Sequence, residues 1–403
     1  MAAGALDGLR VLDFGGSISA AYAGVLFAAA GAQVIKVEPP ECGDDIRRLP
    51  PFSPAETPPE SSAMQTFLDA GKQSLALDLT TPEGCKTAAR LCAQADVVIE
   101  ARDPGFVNSI GIDPTAPPCV VLSLSWFGRT GPGRDHTGSD AVILSRTGFV
   151  HQVGPIDGPP IVPGGYYAQI VAGLSGFVPA MATCIGRLAG GPGCMIDLSV
   201  YEANMAFTEQ ASVRNAFEGY EPQRTGINRF QPVHPQTLYP AADGWIGVTT
   251  LTPPQWTSLC ELLGLHDLGA DPRFRSAYDR SDIADTVDAL LIPELKKRKV
   301  MDLFLEGQKR RIPLAPVPRM DELAGLDHFR ARGVFGRYAH GQDYSFDAPV
   351  IPWKMEKTPL HSGGIAPRLG AQSQEVLADY GFQKDEIADL VKTGTIVPAK
   401  EQS

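Results

Sequence analysis

The sequence lacks the patterns that mark several common protein classes. Its seven cysteines form no C-x-x-C pair, no H-E-x-x-H or clustered His/Cys motif occurs, and the first ten residues, MAAGALDGLR, show no signal-peptide pattern. An odd number of widely spaced cysteines argues against a disulfide framework and against structural zinc. We therefore expect a cytoplasmic protein without a metal site.

Positive charge is also scarce. The chain has 35 Lys and Arg residues against 46 Asp and Glu residues, which gives a net charge of −11. Nucleic-acid binding needs clustered cations, so this balance argues against a nucleic-acid partner. Anionic small molecules stay open as ligands, because backbone amides and helix N-termini can hold them locally.

Charge of either sign is absent from Gly158 to Gly186. A lipid-facing helix needs about 20 consecutive predominantly apolar residues, but prolines and glycines interrupt this stretch repeatedly. We therefore favour a buried helix of a soluble protein and expect no membrane partner.

The N-terminal part of the chain carries a clear α/β pattern. RVLDF and QVIKVE are short apolar runs suited to buried strands, and the glycine- and serine-rich turn GGSISA and the helix former AYAGVLFAAAGA lie between them. This order predicts a βαβ unit with parallel strands. Later segments continue the alternation: KQSLALDL, then TPEGCKTAARLCAQA with Thr81 as cap and Pro82 in the first turn, then DVVIEA and CVVLSLSWFG. An open α/β sheet is expected in the first 200 residues.

The composition changes from about Asn215. PAADGWIGVTT indicates a hairpin, and Asp267 to Leu323 is mostly charged amphipathic helix. After Arg330 come short strands and turns, followed by two short helices in QSQEVLADYGFQKDEIADLVKTG. We predict domain segments 1–214, 215–329 and 330–403.

A dinucleotide site is one candidate for the loop GGSISA, with Glu38 as the ribose acceptor. The spacing of the acid is suitable, but a G-x-G-x-x-G fingerprint would need glycine at Ser17 and Ala20. We favour a tight turn in which Glu38 is solvated.

A nucleophile at Ser123, Ser125 or Cys119 is a second candidate. No G-x-S-x-G elbow surrounds these residues, and the nearby His136 and His151 are more typical of surface or packing histidines.

Asp140, in TGSDAVILSRTGF, is the third candidate. It lies after a loop and before an apolar run, which favours a helix N-cap over a catalytic group but leaves both open. Residue chemistry alone thus indicates a soluble α/β protein with a ligand-binding sheet edge.

An ordered set of segments supports a more specific assignment. The chain resembles the family III CoA-transferases, the group that contains formyl-CoA transferase, carnitine CoA-transferase and the α-methylacyl-CoA racemases. The segments that carry the resemblance are LDGLRVLDF, GAQVIKVEPPECGDDIRR, GKQSLALDLTTPEG, ADVVIEARDPGF, WFGRTGPGRD, GSDAVILSRTG, GPPIVPGGYYAQIVAG, MIDLSVYEA and LYPAADGWIGV.

The resemblance implies a fold and a chemistry. The fold would be a Rossmann-like large domain built from both chain ends, with a smaller α/β domain between them, in an interlocked dimer. In the family an aspartate after the P-P-x-V loop attacks an acyl-CoA thioester, since a carboxylate is an ionised nucleophile whose acyl product stays activated. Coenzyme A thioester would be the substrate, with no tightly bound cofactor.

The same resemblance places Gln169 where the family has its nucleophilic aspartate, counting from Pro159, Pro160 and Gly173. Racemase members use an acid at this place together with a histidine, for which this chain has Ser139 beside Asp140. An uncharged amide cannot accept an acyl group as a carboxylate can. The chain therefore lacks the nucleophile of the transferases and both the acid and the histidine of the racemases.

Further expectations from the resemblance concern CoA. Its contacts would be Ser17, Lys36, Leu77, Arg102 and Pro104. The chain departs from the family with Ala101 and Arg102 in place of Asn-Phe, Thr80 in place of lysine, Ile18 in place of glutamine, and RFQPVHPQT in place of a glycine-rich lid. Arg102 could instead hold a CoA phosphate.

We therefore expect the non-catalytic subunit of a heteromeric CoA-transferase, paired as a heterodimer or heterotetramer with a homologous catalytic subunit. Succinyl-CoA as donor and benzylsuccinate as acceptor are the substrates the resemblance suggests. The alternatives are a stand-alone acyl-CoA-binding protein and a CoA-thioester isomerase or lyase that uses Asp140 as base.

Overall fold

The computed structural model describes residues 4–342 and 344–399 and divides into two compact units. The first unit contains the chain up to Thr147, Pro163–Ser212 and the chain from Leu326, and the second contains Gly148–Val162 and Val213–Gly325. The sequence boundaries put residues 148–162 in the large domain, whereas in the structure they belong to the second unit.

A six-stranded parallel sheet forms the centre of the first unit. Its strands are β1 (Arg10–Asp13), β2 (Gln33–Glu38), β3 (Gln73–Ala76), β4 (Val97–Glu100), β5 (Val120–Ser125) and β6 (Cys194–Ser199). Their spatial order is β3-β2-β1-β4-β5-β6, with every neighbouring pair parallel. This is the Rossmann order, which confirms the predicted fold class.

Helices cover both faces of this sheet, so its central strands are apolar on both sides. In chain order the helices are α1 (Ile18–Ala29), α2 (Ala63–Leu68), α3 (Pro82–Cys92), α4 (Phe106–Ser109), α5 (Asp140–Arg146), α6 (Tyr167–Leu188) and α7 (Val200–Ala203). Helices α1 and α6 pack on the face that carries Val11 and Val97. Helix α3 packs on the opposite face, on Leu12 and Val98.

Helix α6 holds the uncharged part of the chain. Gly173 allows this helix to approach α1 closely, because it has no Cβ. A Cβ at this position would lie 2.6 Å from the carbonyl oxygen of Ser19. Among the described residues it is the one helix whose length and composition would suffice to cross a membrane, a test that the core helices of soluble proteins also pass. Its outer face leaves Val178 and Ile185 exposed.

Helix α8 (Glu209–Glu218) crosses the boundary into the second unit. There an antiparallel sheet, ordered β7-β8-β9, is built from β7 (Gln236–Pro240), β8 (Trp245–Thr249) and β9 (Leu314–Pro316). Its buried face packs on helices around Trp256 and Leu291. The helices are α9 (Pro253–Leu263), α10 (His266–Ala270), α11 (Ala277–Asp282), α12 (Ala284–Leu295) and α13 (Val300–Lys309).

The C-terminal segment belongs to the first unit, as the resemblance implies. It contains α14 (Asp327–Arg332), β10 (Phe335–His340), β11 (Tyr344–Pro349), β12 (Gly364–Ala366), α15 (Ser373–Asp379) and α16 (Lys384–Lys392). Helices α15 and α16 contribute Leu377 and Leu390 to the core that α3 covers.

Candidate functional site

The candidate site lies where the order of the first unit's sheet reverses, between β1 and β4. Ligands of open α/β sheets bind in this crevice, at the carboxyl ends of the strands. Gly16 follows β1 with φ +97°, and a Cβ there would lie 2.4 Å from the carbonyl oxygen of Ala101 after β4. Only glycine suits this position, because both the backbone conformation and the close approach exclude a side chain.

Ser17 ends this loop as the N-cap of α1. Its Oγ accepts a hydrogen bond from the backbone N–H of Ala20. The serine therefore orients the first turn of α1, whose backbone N–H groups point toward the crevice.

Gln169 lies in the first turn of α6 and is 7% exposed. Its Oε1 accepts from the backbone N–H of Ile18 (3.1 Å), and its Nε2 donates to Oδ2 of Asp140 (2.8 Å). The side chain thus joins the N-terminus of α1 to a carboxylate. A deprotonated acid in its place has no hydrogen to donate to Asp140, so this bridge depends on the amide.

Asp140 is the first residue of α5 and not its N-cap. The cap is Ser139, whose Oγ accepts from the N–H of Val142, so the N-cap prediction for Asp140 is wrong by one residue. The carboxylate of Asp140 is held instead by the backbone N–H of Gln169 (3.2 Å) and by its Nε2. The structure therefore brings Asp140 and Gln169 together, although they are far apart in sequence.

An apolar cluster adjoins this pair. Ile18 is buried in it, and Leu49, Met64, Tyr166 and Ile170 pack around it partly buried. Water has few polar partners in such surroundings, which strengthens the hydrogen bonds of the Gln169 amide.

A separate pocket of about 320 Å³ opens at the ends of β2, β3 and β4. Leu77, Arg102 and Pro104 line it, which are three of the five residues predicted to contact CoA. Val37 and Phe106 add apolar walls. The volume and the apolar walls suit a flat ring system.

Arg102 forms the border of this pocket toward the loop after β1. Its Nε donates to the carbonyl oxygen of Phe14 (2.9 Å), and its terminal nitrogen lies 3.9 Å from Oδ1 of the buried Asp44. The guanidinium group is therefore partly occupied within the protein.

Lys36 and Ser17 do not line this pocket. Lys36 is fully buried and forms ion pairs with Asp13 (3.3 Å) and with Asp44. Burial alone would lower the pKa of Lys36, but the nearby carboxylates, Asp13 and Asp44 first among them, outweigh it and raise that pKa above its ordinary value. The side chain is a structural cation, enclosed beneath the loop that Gly15 and Gly16 form.

The position of Glu38 contradicts both interpretations of the loop GGSISA, the dinucleotide site and the turn with a solvated Glu38. It is 1% exposed, and Nε of Arg47 donates to its Oε2 (2.6 Å) while Ser74 donates to its Oε1 (2.9 Å). It is not solvated, and with both oxygens bound inside the protein it cannot serve as a ribose acceptor.

The proposed nucleophiles are not arranged for catalysis. Burial raises the pKa of the Cys119 thiol to about 11, so the thiolate is scarce at neutral pH. Nε of Arg129 donates to Oγ of Ser123 (2.7 Å). Within residues 4–342 and 344–399, the buried hydroxyl oxygen of Ser125 has no hydrogen-bond partner, and His136 packs edge-on against Phe127.

Sequence reasoning missed the ion pair behind Ser123. Arg129 donates to the Oε2 of Glu100 (2.9 Å), and its backbone N–H donates to Asp197. Burial raises the pKa of Glu100, and Arg129 opposes this increase. The acid at the end of the apolar strand DVVIE was the available signal, because a carboxylate in a buried strand needs a partner.

Over the part of the chain that is described, no group of three or more His, Cys, Asp or Glu residues could hold a metal ion. His151 belongs to the second unit, where its Nε2 lies 3.9 Å from the Glu221 carboxylate. The crevice thus offers the Asp140–Gln169 pair and the N-terminus of α1 for chemistry.

Comparisons with known proteins agree with this fold. The family model described as CoA-transferase family III matches residues 6–373. A succinate–glutarate CoA-transferase of Agrobacterium fabrum is 30% identical over 383 residues, which cover 93% of this chain and 95% of the relative. The alpha subunit of a succinyl-CoA–L-malate CoA-transferase of Chloroflexus aurantiacus is 26% identical, over 93% of this chain and 88% of that subunit.

A solved structure is similar as well. The crystal structure of a CaiB/BaiF family protein from Brucella suis matches with a TM-score of 0.82 and 27% identity, over 94% of this chain and 100% of that chain.

Proposed function

The chain belongs to CoA-transferase family III, and from this premise we propose that it is the non-catalytic subunit of a heteromeric CoA-transferase. Such an enzyme moves CoA between an acyl-CoA and a carboxylic acid. The observation that carries the proposal is the Gln169 amide, which bridges Ile18 and Asp140. We assign to Gln169 the position of the family's nucleophilic aspartate.

The chemistry explains why this exchange is decisive. In the first step a carboxylate oxygen attacks the thioester carbonyl, the C–S bond breaks, and CoA leaves as a thiolate while an anhydride forms. The thiolate then attacks the enzyme-side carbonyl, releasing the acyl group as a carboxylate. An amide is a poor nucleophile, and its acylated form would be an imide, which is less activated than an anhydride and would release a carboxamide instead of a carboxylate. Gln169 therefore supports neither step.

Asp140 does not replace the missing group in this arrangement. Both of its oxygens accept hydrogen bonds from Gln169, which lowers the availability of their lone pairs. Oε1 of Gln169 also takes the N–H of Ile18, a donor in the first turn of α1 that would otherwise be free to stabilise developing negative charge.

A homologous catalytic partner follows from this reading. A relative of this chain is named as the alpha subunit of a succinyl-CoA–L-malate CoA-transferase, so enzymes of this type with distinct subunits are known. The exposed apolar side chains of α6, Val178 (61%) and Ile185 (63%), support burial against another subunit in an interlocked dimer. Succinyl-CoA is the proposed donor, and benzylsuccinate is a proposed acceptor.

The test is reconstitution. This chain is purified alone and together with a family III chain that carries an aspartate at the position of Gln169, and CoA transfer from succinyl-CoA to a carboxylic acid is measured. We expect activity only when both chains are present and co-purify. Transfer by this chain alone, at the rate of the complex, would refute the proposal.

A further inference from the structure

Arg129 connects the carboxyl ends of three neighbouring strands in the sheet of the first unit. It lies in the loop after β5, and its Nη2 donates to both oxygens of Glu100, the last residue of β4 (3.0 and 2.9 Å). Its Nε donates to Oγ of Ser123 in β5 (2.7 Å), and its backbone N–H donates to both oxygens of Asp197 in β6 (3.0 and 2.9 Å). One residue thus holds β4, β5 and β6 together at the edge of the sheet where ligands of this fold bind.

The carboxylate of Glu100 continues these contacts into the loop after β4. Its Oε2 accepts the backbone N–H of Arg102 (2.7 Å), and Nε of Arg102 donates to the carbonyl oxygen of Phe14, directly after β1 (2.9 Å). In the same loop the backbone N–H of Ala101 donates to the carbonyl oxygen of Gly15 (2.9 Å). The position of this loop, at the point where the strand order reverses, therefore depends on the Glu100 carboxylate.

Glu100 needs its cation in order to stay ionised. Its side chain is 1% exposed, and burial raises the pKa of this carboxyl, whereas the charge of Arg129 lowers it. Ser123 and the backbone N–H of Arg102 favour the ionised form as well, but both are neutral donors. Without Arg129 the pKa of Glu100 would rise further. A protonated carboxyl has less capacity to accept the N–H of Arg102, because one of its oxygens carries a hydrogen.

We infer that Arg129 is a positioning residue for CoA binding: through Glu100 it fixes the loop after β4, and this loop lines the pocket at the ends of β2, β3 and β4. Arg102 and Pro104 are the residues of the loop that it holds in place there. The action of Arg129 is indirect, because its Nε and Nη2 are bound to Ser123 and Glu100. The inference rests on the proposed function in one respect, the binding of CoA in this crevice.

Isothermal titration of the full-length chain with CoA, between about pH 6 and pH 8, tests this role. Arg129→Gln should raise the dissociation constant about tenfold at the acid end, the effect of losing a hydrogen bond to a charged group. The ratio of the variant's constant to that of the wild type should increase as the pH falls, because Glu100 without its cation takes up a proton. A residue that only stabilises the fold would lower the melting temperature and leave this ratio independent of pH. That result, or no binding of CoA by the wild type, overturns the inference.

Three further variants isolate the ion pair. Arg129→Lys keeps a cation beside Glu100 but not the planar fork, so its ratio should lie between those of Arg129→Gln and the wild type; it also serves if Arg129→Gln does not fold. The double variant Arg129→Gln/Glu100→Gln removes the titrating group, so the pH dependence of the ratio should vanish.

Arg134→Gln is the matched control in the same loop, since Arg134 is 61% exposed and its ion pair is with the neighbouring Asp135. It should change the dissociation constant by less than about twofold. Weakening by Arg134→Gln equal to that by Arg129→Gln, or a wild-type constant for Arg129→Lys at every pH, would contradict the inference. Reconstitution of transferase activity does not enter these ratios, so failure here leaves the heteromer proposal standing.

Discussion

At the scale of single residues, the proposed role of this chain depends on one amide. Gln169 is held by an N–H on one side and by a carboxylate on the other, so both ends of its side chain have a defined partner. A carboxylate at the same place would lie beside Asp140 with like charge, and the pKa of one of the two acids would rise. The uncharged amide avoids this repulsion, but it cannot act as a nucleophile.

The variant Gln169→Asp tests whether the rest of the site is intact. Succinyl-CoA should label the introduced aspartate covalently, and treatment with hydroxylamine should then remove the label. Gln169→Asn is the matched control, since it has the same length without the charge and should stay unlabelled. No labelling of the aspartate variant would show that the other departures, such as Ile18 and Arg102, have also disabled the site.

Lys36 illustrates a second residue-scale effect. Its Nζ is enclosed between Asp13 and Asp44, each 0% exposed. Lys36→Met should lower the free energy of unfolding by about 3–5 kcal/mol, because the variant leaves a buried carboxylate without its cation. Lys86→Met, at a side chain 72% exposed and paired only with Glu83, should change it by less than about 0.5 kcal/mol. Urea unfolding measures both values, and similar effects would contradict the structural role of Lys36.

The pH dependence of this difference has a definite sign. Burial raises the pKa of Asp13 and Asp44, but Lys36, helped by Lys72 at Asp13 and by Arg102 at Asp44, outweighs it and holds both pKa values below the ordinary 3.8. Their contribution is therefore present above about pH 4 and is lost as the pH falls through the lowered values. Lys36 has its pKa raised above 10.5, so its contribution is present below that pH and is lost above it. Wild type and Lys36→Met should differ most between these limits.

At the scale of elements, residues 229–237, which we predict to replace the family's glycine-rich lid, are anchored. Arg229 donates to Asp288 (2.7 Å), and His234 lies 2.8 Å from the other oxygen of the same carboxylate. Tyr239 donates to that oxygen too (2.6 Å). Several charged and polar contacts thus tie residues 228–235 to helix α12 within the second unit.

Hydrogen exchange measures this anchoring. Arg229→Ala should accelerate amide exchange in residues 226–235 by about tenfold or more, because a hydrogen bond between charged groups contributes about 1.5–3 kcal/mol. Arg273→Ala is the control, since Arg273 is 81% exposed and its ion pair is with the neighbouring Asp271. Fast exchange of this segment already in the wild type would mean that it is mobile after all.

Elements also show how far the sequence predicts the structure. The strand QVIKVE was predicted with its observed bounds, and α3 begins at the predicted Pro82 with Thr81 as its cap, because periodicity and capping are local signals. The partners of Lys36 and Glu38 could not be predicted, since Asp44 and Arg47 reach them through a turn that the sequence marks only as a loose, proline-rich excursion. The placement of residues 148–162 in the second unit depends on long-range packing in the same way.

At the scale of the whole molecule, the fold and the candidate site have different origins. An open parallel sheet follows from alternating apolar runs and helix formers, which the sequence shows directly. Its Rossmann-like strand order is what the family resemblance implies and what the structure shows. The place of Gln169 in the crevice came from the family resemblance, and its contact with Asp140 came only from the structure. We expect the function to depend on that contact and not on the fold alone, because many unrelated activities share one fold.

The most direct test of the central claim is the intact mass of each subunit after a transferase reaction with succinyl-CoA is quenched in acid. The account predicts a covalent adduct on the homologous partner, with this chain at its unmodified mass. A CoA or succinyl adduct on this chain, formed while it turns over substrate as a homodimer, would contradict it.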